Sequence, residues 1–331
     1  MKLKPLSELT NFEELKRLLA KQSTGQSRSI NADEMTAALK ERVKGQDPVI
    51  EDVVRLIKIQ WAKERRNRPI ANLLFVGPTG TGKTELAKAL ANYLFGDDKA
   101  MVQFDCTELS NEAGKNRLIG SQRGYQGATA GGELTRALLN NPKRLVLFDE
   151  IEKGHPSIYD LFLQMMGDGR LTEQSSGETA DFTQAIIILT SNAEADAIAK
   201  LHNEITDPQE RAAAIKSHLV VSGKFRPEIV GRIDRIYVFS PLDDLTQCEI
   251  IYLKMQVIAS QFGLELDDVD NRLIMESFRR GNKLKKFGAR ALTQELENML
   301  GDKFLELKEK GAKRVQLGLD EDGEINAGFY K

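Results

Sequence analysis

The chain of 331 residues is long enough to bury one large hydrophobic core or two smaller ones. Its composition, 41% apolar and 29% charged, is typical of a globular protein and excludes a wholly disordered chain. The net charge of −2 argues against a nucleic-acid partner. No run approaches the roughly 18 to 20 consecutive apolar residues of a membrane helix, so no membrane partner is expected.

Cysteine and histidine are scarce. Two cysteines and three scattered histidines offer neither a disulfide framework nor the spacing of a metal site. Charged residues interrupt the first 20 positions, where a signal peptide would carry an unbroken apolar segment. We therefore expect a cytoplasmic protein with no metal beyond the ion that accompanies a nucleotide.

Three regions follow one another along the chain. Residues 1–40 predict a helical extension of mixed charge, which serves either as a packing or linker arm or as a docking arm for a partner. Residues 41–240 alternate short apolar runs with helical patterns, which predicts an α/β domain with a parallel sheet between helices. The predicted strands are Leu73–Val76, Met101–Phe104, Leu145–Phe148, Ala185–Leu189 and Ile236–Phe239.

Strand and helix stop alternating after the last of these strands. Residues 241–331 predict a smaller, mainly helical domain that ends in a β-hairpin, with strands at Val315–Leu319 and Glu324–Phe329. A domain boundary is therefore expected near residue 240.

One loop predicts ATP binding. The pattern Gly-x4-Gly-Lys-Thr follows an apolar strand and opens an amphipathic helix, the context that distinguishes a P-loop from a chance glycine-rich turn. Its glycines let backbone N–H groups surround phosphates, and the helix N-terminus adds partial positive charge. Lys83 would reach the β- and γ-phosphates, and the Thr84 hydroxyl would bind Mg²⁺. The predicted phosphate-binding residues are Gly77, Pro78, Thr79, Gly80, Thr81, Gly82, Lys83 and Thr84.

Two further strands end in polar residues at the same expected sheet edge. Asp149 is the candidate partner of Mg²⁺, directly or through water, and Glu150 is the candidate general base for the attacking water. Asn192 ends another strand and either positions that water, contacts the γ-phosphate or simply forms a turn.

From about Val43 to its carboxyl end, the chain resembles the ATPase modules of the Clp-type AAA+ protein unfoldases and disaggregases. It is most similar to their second, carboxyl-terminal module. The segments that carry this resemblance are Val43–Asp47, Asn67–Ile70, Asn116–Gly120, Gly124–Gly127, Asp149–Lys153, His155–Pro156, Asp168–Thr172, Thr190–Asn192, Phe225–Glu228, Gly231–Asp234 and Gly288–Arg290. The resemblance implies a large AAA+ domain followed by a small lid domain.

The resemblance also implies roles for particular residues. Asn192 becomes the first sensor, and Arg290, on a helix of the small domain, becomes the second sensor that contacts the γ-phosphate. Arg232 becomes an arginine finger that reaches the nucleotide of a neighbouring subunit, which requires a ring, built in this family as a hexamer. Val43 and Lys44 would contact the adenine side of the nucleotide. Arg226 is a weaker finger candidate and fits a structural ion pair equally well.

Tyr125 resembles the aromatic residue with which such rings grip an unfolded polypeptide in their pore. Residues 173–180 would form a second loop in the channel. The implied activity is that of an ATP hydrolase that unfolds a protein client by pulling it through the ring. Gln126 and residues 128–130 differ from the usual pore-loop pattern, which predicts a weaker or client-specific grip.

Other family features have no counterpart in these 331 residues. We find no first ATPase ring, no coiled-coil middle domain and no large amino-terminal domain. No aliphatic-Gly-Phe or aliphatic-Gly-Leu tripeptide lies between Asn192 and Phe225, so a peptidase partner is not expected.

Two other functions remain open. In the first, ATP controls the assembly of the chain with its partners and no polypeptide is threaded. In the second, the chain is an AAA+ remodeller or loader of nucleic acid, for which the only support is the basic runs 55–68 and 279–286. These runs are better explained as solvated helix faces or charges at a subunit interface.

Overall fold

The structure, a computed structural model, describes residues 29–121, 131–283, 288–320 and 323–330, without the side chains at 98, 282–283, 288–290 and 329–330. The helices are α1 (Ala32–Arg42), α2 (Asp47–Trp61), α3 (Lys83–Phe95), α4 (Ala113–Ile119), α5 (Glu133–Asn140), α6 (Tyr159–Leu163), α7 (Ala195–Glu204), α8 (Pro208–Val221), α9 (Pro227–Arg232), α10 (Asp244–Gln261), α11 (Asn271–Lys283) and α12 (Gly288–Glu309). The strands are β1 (Ala71–Val76), β2 (Met101–Asp105), β3 (Leu145–Asp149), β4 (Arg170–Thr172), β5 (Thr179–Asp181), β6 (Ile186–Ser191), β7 (Arg235–Val238), β8 (Glu265–Val269), β9 (Arg314–Leu319) and β10 (Ile325–Tyr330).

Five strands form one parallel sheet in the order β2-β3-β6-β1-β7. They are the five strands that the apolar runs predict, so the α/β fold class is confirmed. Every residue of β1 and of β6 is buried, because a parallel sheet with helices on both faces shields both sides of its central strands. The carboxyl ends of these strands therefore meet at one edge of the sheet.

Helices cover each face of this sheet with a separate hydrophobic cluster. Leu74 and Val76 of β1 point into one cluster, which includes residues of α5, α6 and α8. Leu73 and Phe75, between them in the strand, point into the other, with residues of α1, α2 and α3. The alternation of side chains along the strand thus fixes β1 from both sides.

A third cluster lies in the carboxyl-terminal part of the chain. Its buried members all fall between Ile251 and Leu317 and come mainly from α10, α12 and a three-stranded sheet. The predicted hairpin is present as the antiparallel pair β9 and β10, but β8 joins β9 in parallel within a segment predicted to be mainly helical. In β8 only Leu266 and Val269 are buried, with an irregular register between them, so it lacks a clear strand pattern in sequence. The boundary near residue 240 stays a prediction.

Little of the predicted 1–40 extension falls within the described residues. The first described helix, α1, begins after Asn31, whose side-chain oxygen accepts hydrogen bonds from the backbone N–H groups of Asp33 and Glu34. Such N-caps satisfy N–H groups that have no partner within the helix.

Within the described ranges, no helix has the length and apolar character needed to cross a bilayer.

Candidate active site

The predicted P-loop connects the buried end of β1 to the start of α3. At Gly77 a Cβ atom would lie 2.5 Å from the Phe239 carbonyl oxygen, so the close approach of the chain after β7 requires glycine. Gly80 and Gly82 have φ angles of 82° and 98°, a region that glycine enters without steric cost. The loop therefore turns sharply into the N-terminus of α3, where N–H groups and the helix dipole favour an anion.

Lys83, the first residue of α3, folds back over this loop. Its side-chain nitrogen donates to the carbonyl oxygens of Gly77 at 2.6 Å and Pro78 at 2.8 Å, and to Oδ1 of Asn192 at 2.8 Å. Lys83 is buried, and burial lowers its pKa to about 8 despite the nearby carboxylates of Asp149, Glu152 and Glu150. The ammonium group thus lies where the loop and two strand ends converge.

Asp149 ends β3 beside the first turn of α3. The Thr84 hydroxyl donates to Asp149 Oδ2 over 3.3 Å, and the Gln103 amide donates to the same oxygen over 3.3 Å. The Thr190 hydroxyl donates to the other oxygen, Oδ1. The structure therefore brings together the two residues predicted to bind Mg²⁺.

Glu150 follows in a left-handed backbone conformation, with φ of 53°. A residue other than glycine rarely adopts this conformation, and such strain is concentrated at functional sites. The Glu150 backbone N–H donates to Thr190 Oγ1 at 3.1 Å, and the Asn192 side-chain amide donates to Glu150 Oε1 at 2.9 Å. Asn192 thus contacts both the predicted base and Lys83, so it does more than form a turn.

The loop opens into a cleft of about 1050 Å³ between α3 and α10. Val43 and Lys44 line it on the side predicted to hold adenine, and Lys44 forms an ion pair of 3.0 Å with Glu249 of α10. Lys254 of α10 also lines the cleft and donates to Thr293 Oγ1 at 2.7 Å. Burial lowers the pKa of Lys254.

Arg232 lies at the opposite edge of the sheet. Its carbonyl oxygen accepts from the Asn72 amide at 3.2 Å near the start of β1, whereas the P-loop follows the end of that strand. At about 3.3 Å per residue, these points are roughly 15 Å apart, which exceeds the length of an arginine side chain. The Arg232 guanidinium donates to the carbonyl oxygens of Leu163 and Glu228, each at 3.2 Å. Arg232 is therefore not brought to the P-loop of its own chain.

The remaining predicted residues differ in how far the structure describes them. Arg226 forms an ion pair of 3.5 Å with Asp160, and its guanidinium lies 5.3 Å from the centre of the Tyr159 ring. These contacts agree with the structural alternative for Arg226. Arg290 belongs to α12, but its side chain lies outside the described part, and Tyr125 lies wholly outside the described residues.

Among the residues to which the sequence assigns no role are Asn72, Gln103, Thr190 and Lys254. Asn72 interrupts an apolar strand, which is a signal that a buried polar group has specific partners. Thr190 was visible within the Thr-Ser-Asn motif, but a threonine in a strand is also an ordinary β-former. Lys254 carries no local signal, since only the packing of α10 against the cleft reveals its position. No cluster of three or more His, Cys, Asp or Glu side chains that could hold a metal occurs in the described ranges.

Comparison with known families agrees with this geometry. The sequence profile described as AAA domain (Cdc48 subfamily) matches residues 68–236, just over half of the chain. This match spans the P-loop, β3 with its two carboxylates, and Arg232. A second profile, described as Torsin, matches residues 18–107.

Curated relatives cover most of the chain. It is 37% identical over 312 residues to the chloroplastic chaperone protein ClpC2 of Oryza sativa subsp. japonica, covering 88% of this chain and 33% of that protein. It is 39% identical over 295 residues to the chaperone protein ClpB of Helicobacter hepaticus, covering 87% of this chain and 33% of that protein. It is 37% identical over 311 residues to a ClpA homolog of Guillardia theta, an ATP-dependent Clp protease ATP-binding subunit. This match covers 88% of this chain and 37% of that protein.

The chain thus spans about a third of the length of these relatives. Both the family profile and the relatives agree with the resemblance read from the motifs. The chain belongs to the AAA domain family and is a nucleotide-binding AAA+ module of the Clp type.

Proposed function

We propose that the chain hydrolyses ATP and uses the energy to unfold or remodel a protein client in a ring of identical subunits. The observation that carries the proposal is the hydrogen-bonded group at the P-loop. Asn192 contacts both Lys83 and Glu150, and Thr190 contacts both Asp149 and Glu150. A phosphate-binding cation, a metal-binding carboxylate and a general base are thus held within one network.

The chemistry follows from these positions. Lys83 binds the phosphates from the loop side. Glu150 takes a proton from the water that attacks the γ-phosphate, and the products are ADP and inorganic phosphate. The Asn192 amide holds one oxygen of the Glu150 carboxylate and so orients the other oxygen towards that water.

Thr84 and Asp149 suit Mg²⁺, since hydroxyl and carboxylate oxygens are the hard ligands that this ion prefers. Their side chains already lie 3.3 Å apart at the mouth of the loop. When bound there, the ion neutralises phosphate charge. Gln103 and Thr190 hold the Asp149 carboxylate in place for it.

The position of Arg232 supports assembly into a ring. It is remote from the P-loop of its own chain, so it is available to complete the site of a neighbour, as an arginine finger does. We propose a homohexamer with shared sites, with Arg290 as the second sensor and Val43 and Lys44 beside the adenine. A cytoplasmic location stays a prediction, since one of the compared relatives, ClpC2 of Oryza sativa, is named as a chloroplastic protein.

The nucleic-acid alternative loses support from the structure. Within the basic run 55–68, Arg55 forms an ion pair with Asp52, and Arg68 pairs with Asp234 at 2.9 Å. Arg66 donates to the carbonyl oxygens of Gln60 and Trp61. Arg66 thus serves an internal contact, and the carboxylates beside Arg55 and Arg68 offset part of the positive charge of the run, which argues against a surface dedicated to phosphate backbones.

The purified chain and its Glu150→Gln and Tyr125→Ala variants test the proposal with a folded model protein that carries an unstructured tail as client. Glu150→Gln should still bind ATP while turnover falls about 100-fold or more, because the base is lost. Tyr125→Ala should keep ATP turnover and lose client unfolding. Unchanged turnover in the first variant would remove Glu150 as the base, and unchanged client unfolding in the second would remove Tyr125 as the residue that grips the client. ATP turnover without client unfolding by the unchanged chain would favour the assembly factor that threads nothing.

A further inference from the structure

Two glycines that flank segment 121–131 lie against each other. Gly120 follows α4 and Gly132 precedes α5, and a Cβ atom on Gly120 would lie 3.0 Å from the Gly132 backbone nitrogen. A Cβ atom on Gly132 would lie 2.5 Å from the Gly120 nitrogen. The two ends of the segment that carries Tyr125 are therefore in backbone contact.

The β4–β5 hairpin packs against the end of α4. The Gln174 backbone N–H donates to the carbonyl oxygen of Ile119, the last residue of α4, at 2.7 Å. This hairpin contains residues 173–180, which the resemblance assigns to a second loop in the channel.

Glu173 lies between the hairpin and the start of α5 and is 2% exposed. One carboxylate oxygen, Oε1, accepts within the hairpin, from the Ser175 backbone N–H at 3.2 Å and the Ser175 hydroxyl at 2.8 Å. The other, Oε2, accepts from the Gly132 backbone N–H at 2.9 Å and from the Thr135 hydroxyl. One oxygen thus serves the hairpin and the other serves the start of α5.

A buried carboxylate is costly unless it is hydrogen-bonded or paired with a cation. No lysine or arginine forms an ion pair with Glu173 among the described residues. The hydrogen bonds from N–H and O–H donors therefore offset the cost of burying its charge. Burial raises the pKa of Glu173, but the hydrogen bonds from Thr135, Gly132 and Ser175 outweigh it and leave the pKa lowered. The carboxylate therefore stays charged at neutral pH, and the N-terminus of α5 favours that charge.

We propose that Glu173 is a positioning residue that clasps the β4–β5 hairpin to the start of α5, where segment 121–131 ends, so that the two loops proposed to contact the client act as one unit. The coupling of the loops to a client rests on the proposed function. The clasp itself involves only residues that the structure describes, and it can be tested without a client.

The variant Glu173→Gln tests the clasp with little change of shape. An amide has one accepting oxygen, and the backbone N–H groups of Gly132 and Ser175 both need an acceptor. Whichever way the amide lies, one of them faces an NH₂ group, so one side of the clasp opens. Glu178→Gln is the matched control, since Glu178 lies in the same hairpin but is exposed.

Hydrogen–deuterium exchange on the full chain measures the clasp directly. In Glu173→Gln the amide of Gln174 and that of either Gly132 or Ser175 should exchange about tenfold faster or more, because the local opening energy falls. In Glu178→Gln they should exchange as in the unchanged chain. Wild-type exchange in Glu173→Gln at Gln174, or at both Gly132 and Ser175, would overturn the clasp, as would equal acceleration in the control.

A second pair of variants covers the case in which Glu173→Gln fails to fold. Thr135→Val removes the hydroxyl that donates across the junction, whereas Ser175→Ala removes a hydroxyl that donates within the hairpin. Thr135→Val should accelerate exchange at Gln174 and Ser175→Ala should not. The opposite order would assign Glu173 to the hairpin alone and refute the clasp.

Client kinetics then test the coupling. With a folded model protein that carries an unstructured tail, Glu173→Gln should lose about tenfold in the maximal rate of client unfolding, while the KM for ATP and the basal ATP turnover change less than about twofold. Full client unfolding by a variant whose clasp has opened would overturn the coupling. If the unchanged chain unfolds no client, the proposed function fails while the exchange result still decides the clasp.

Discussion

Thr190 connects two successive residues at the end of β3, Asp149 and Glu150. Its hydroxyl donates to Asp149 and accepts from the backbone N–H of Glu150. It therefore fixes both the carboxylate proposed to bind Mg²⁺ and the strained backbone of the proposed base. Groups that orient a ligand or a base in this way tune catalysis without contacting substrate.

Thr190→Val keeps the shape of this side chain and removes its hydroxyl. Loss of a hydrogen bond to a charged group costs about 1.5–3 kcal/mol, so we expect ATP turnover to fall roughly 10- to 100-fold. Steady-state ATPase measurements with a titration of Mg²⁺ would check this. Thr190→Ser retains the hydroxyl and should recover most of the rate; a serine variant as slow as the valine variant would contradict the role.

At the scale of an element, β1 carries a functional group at each end. Its carboxyl end continues into the P-loop, and Asn72 near its amino end donates to the carbonyl oxygens of Met166 at 3.0 Å and Arg232 at 3.2 Å. Asp234 accepts from the Asn72 backbone N–H at 2.8 Å and also pairs with Arg68. The proposed finger is thus attached to the strand that leads to the phosphates.

Asn72→Leu should break this attachment, because it leaves two carbonyl oxygens without their donor in a buried place. We expect the free energy of unfolding to fall by about 1–3 kcal/mol, the usual cost of unsatisfied buried polar groups. Urea denaturation would measure it. Leu74→Met, at a buried apolar position of the same strand, is the control and should cost less than about 1.5 kcal/mol; equal losses in the two variants would argue against a special role for Asn72.

The elements differ in how readily the sequence predicts them. The five strands of the main sheet are continuous apolar runs, so the local pattern is enough to predict them. The P-loop can be predicted because its glycines adopt backbone conformations and close approaches that other residues do not tolerate. Strand β8 escapes prediction because its two buried side chains follow no regular alternation. Glu173 and Lys254 acquire their surroundings only from packing between distant segments, which no local pattern reveals.

In the whole molecule, the cleft is bounded by two parts of the chain that contact each other near residue 240. Gln46 donates to the Ser240 carbonyl oxygen at 2.9 Å, and Lys44 forms its ion pair with Glu249. The segment beside the proposed adenine site is therefore attached to α10. Opening of the cleft for nucleotide exchange has to disturb this attachment.

Lys44→Glu places two negative charges together and should speed release of ADP several-fold, in line with repulsion of about 1 kcal/mol at a half-exposed site. Stopped-flow displacement of a fluorescent ADP analogue would measure it. The charge-swapped variant Lys44→Glu/Glu249→Lys should restore slow release. Fast release in the double variant would show that Lys44 acts on the nucleotide itself and not through Glu249.

The register of β7 against β1, with Arg235 opposite Leu73, has a consequence for reaction order. In its proposed role as a finger, Arg232 completes a site only on another copy of the chain, so we expect the smallest catalytic unit to contain two chains. ATP turnover per chain should fall steeply on dilution below the assembly concentration, whereas Lys83-dependent nucleotide binding should not. Turnover strictly proportional to protein at all concentrations would show that a single chain is sufficient.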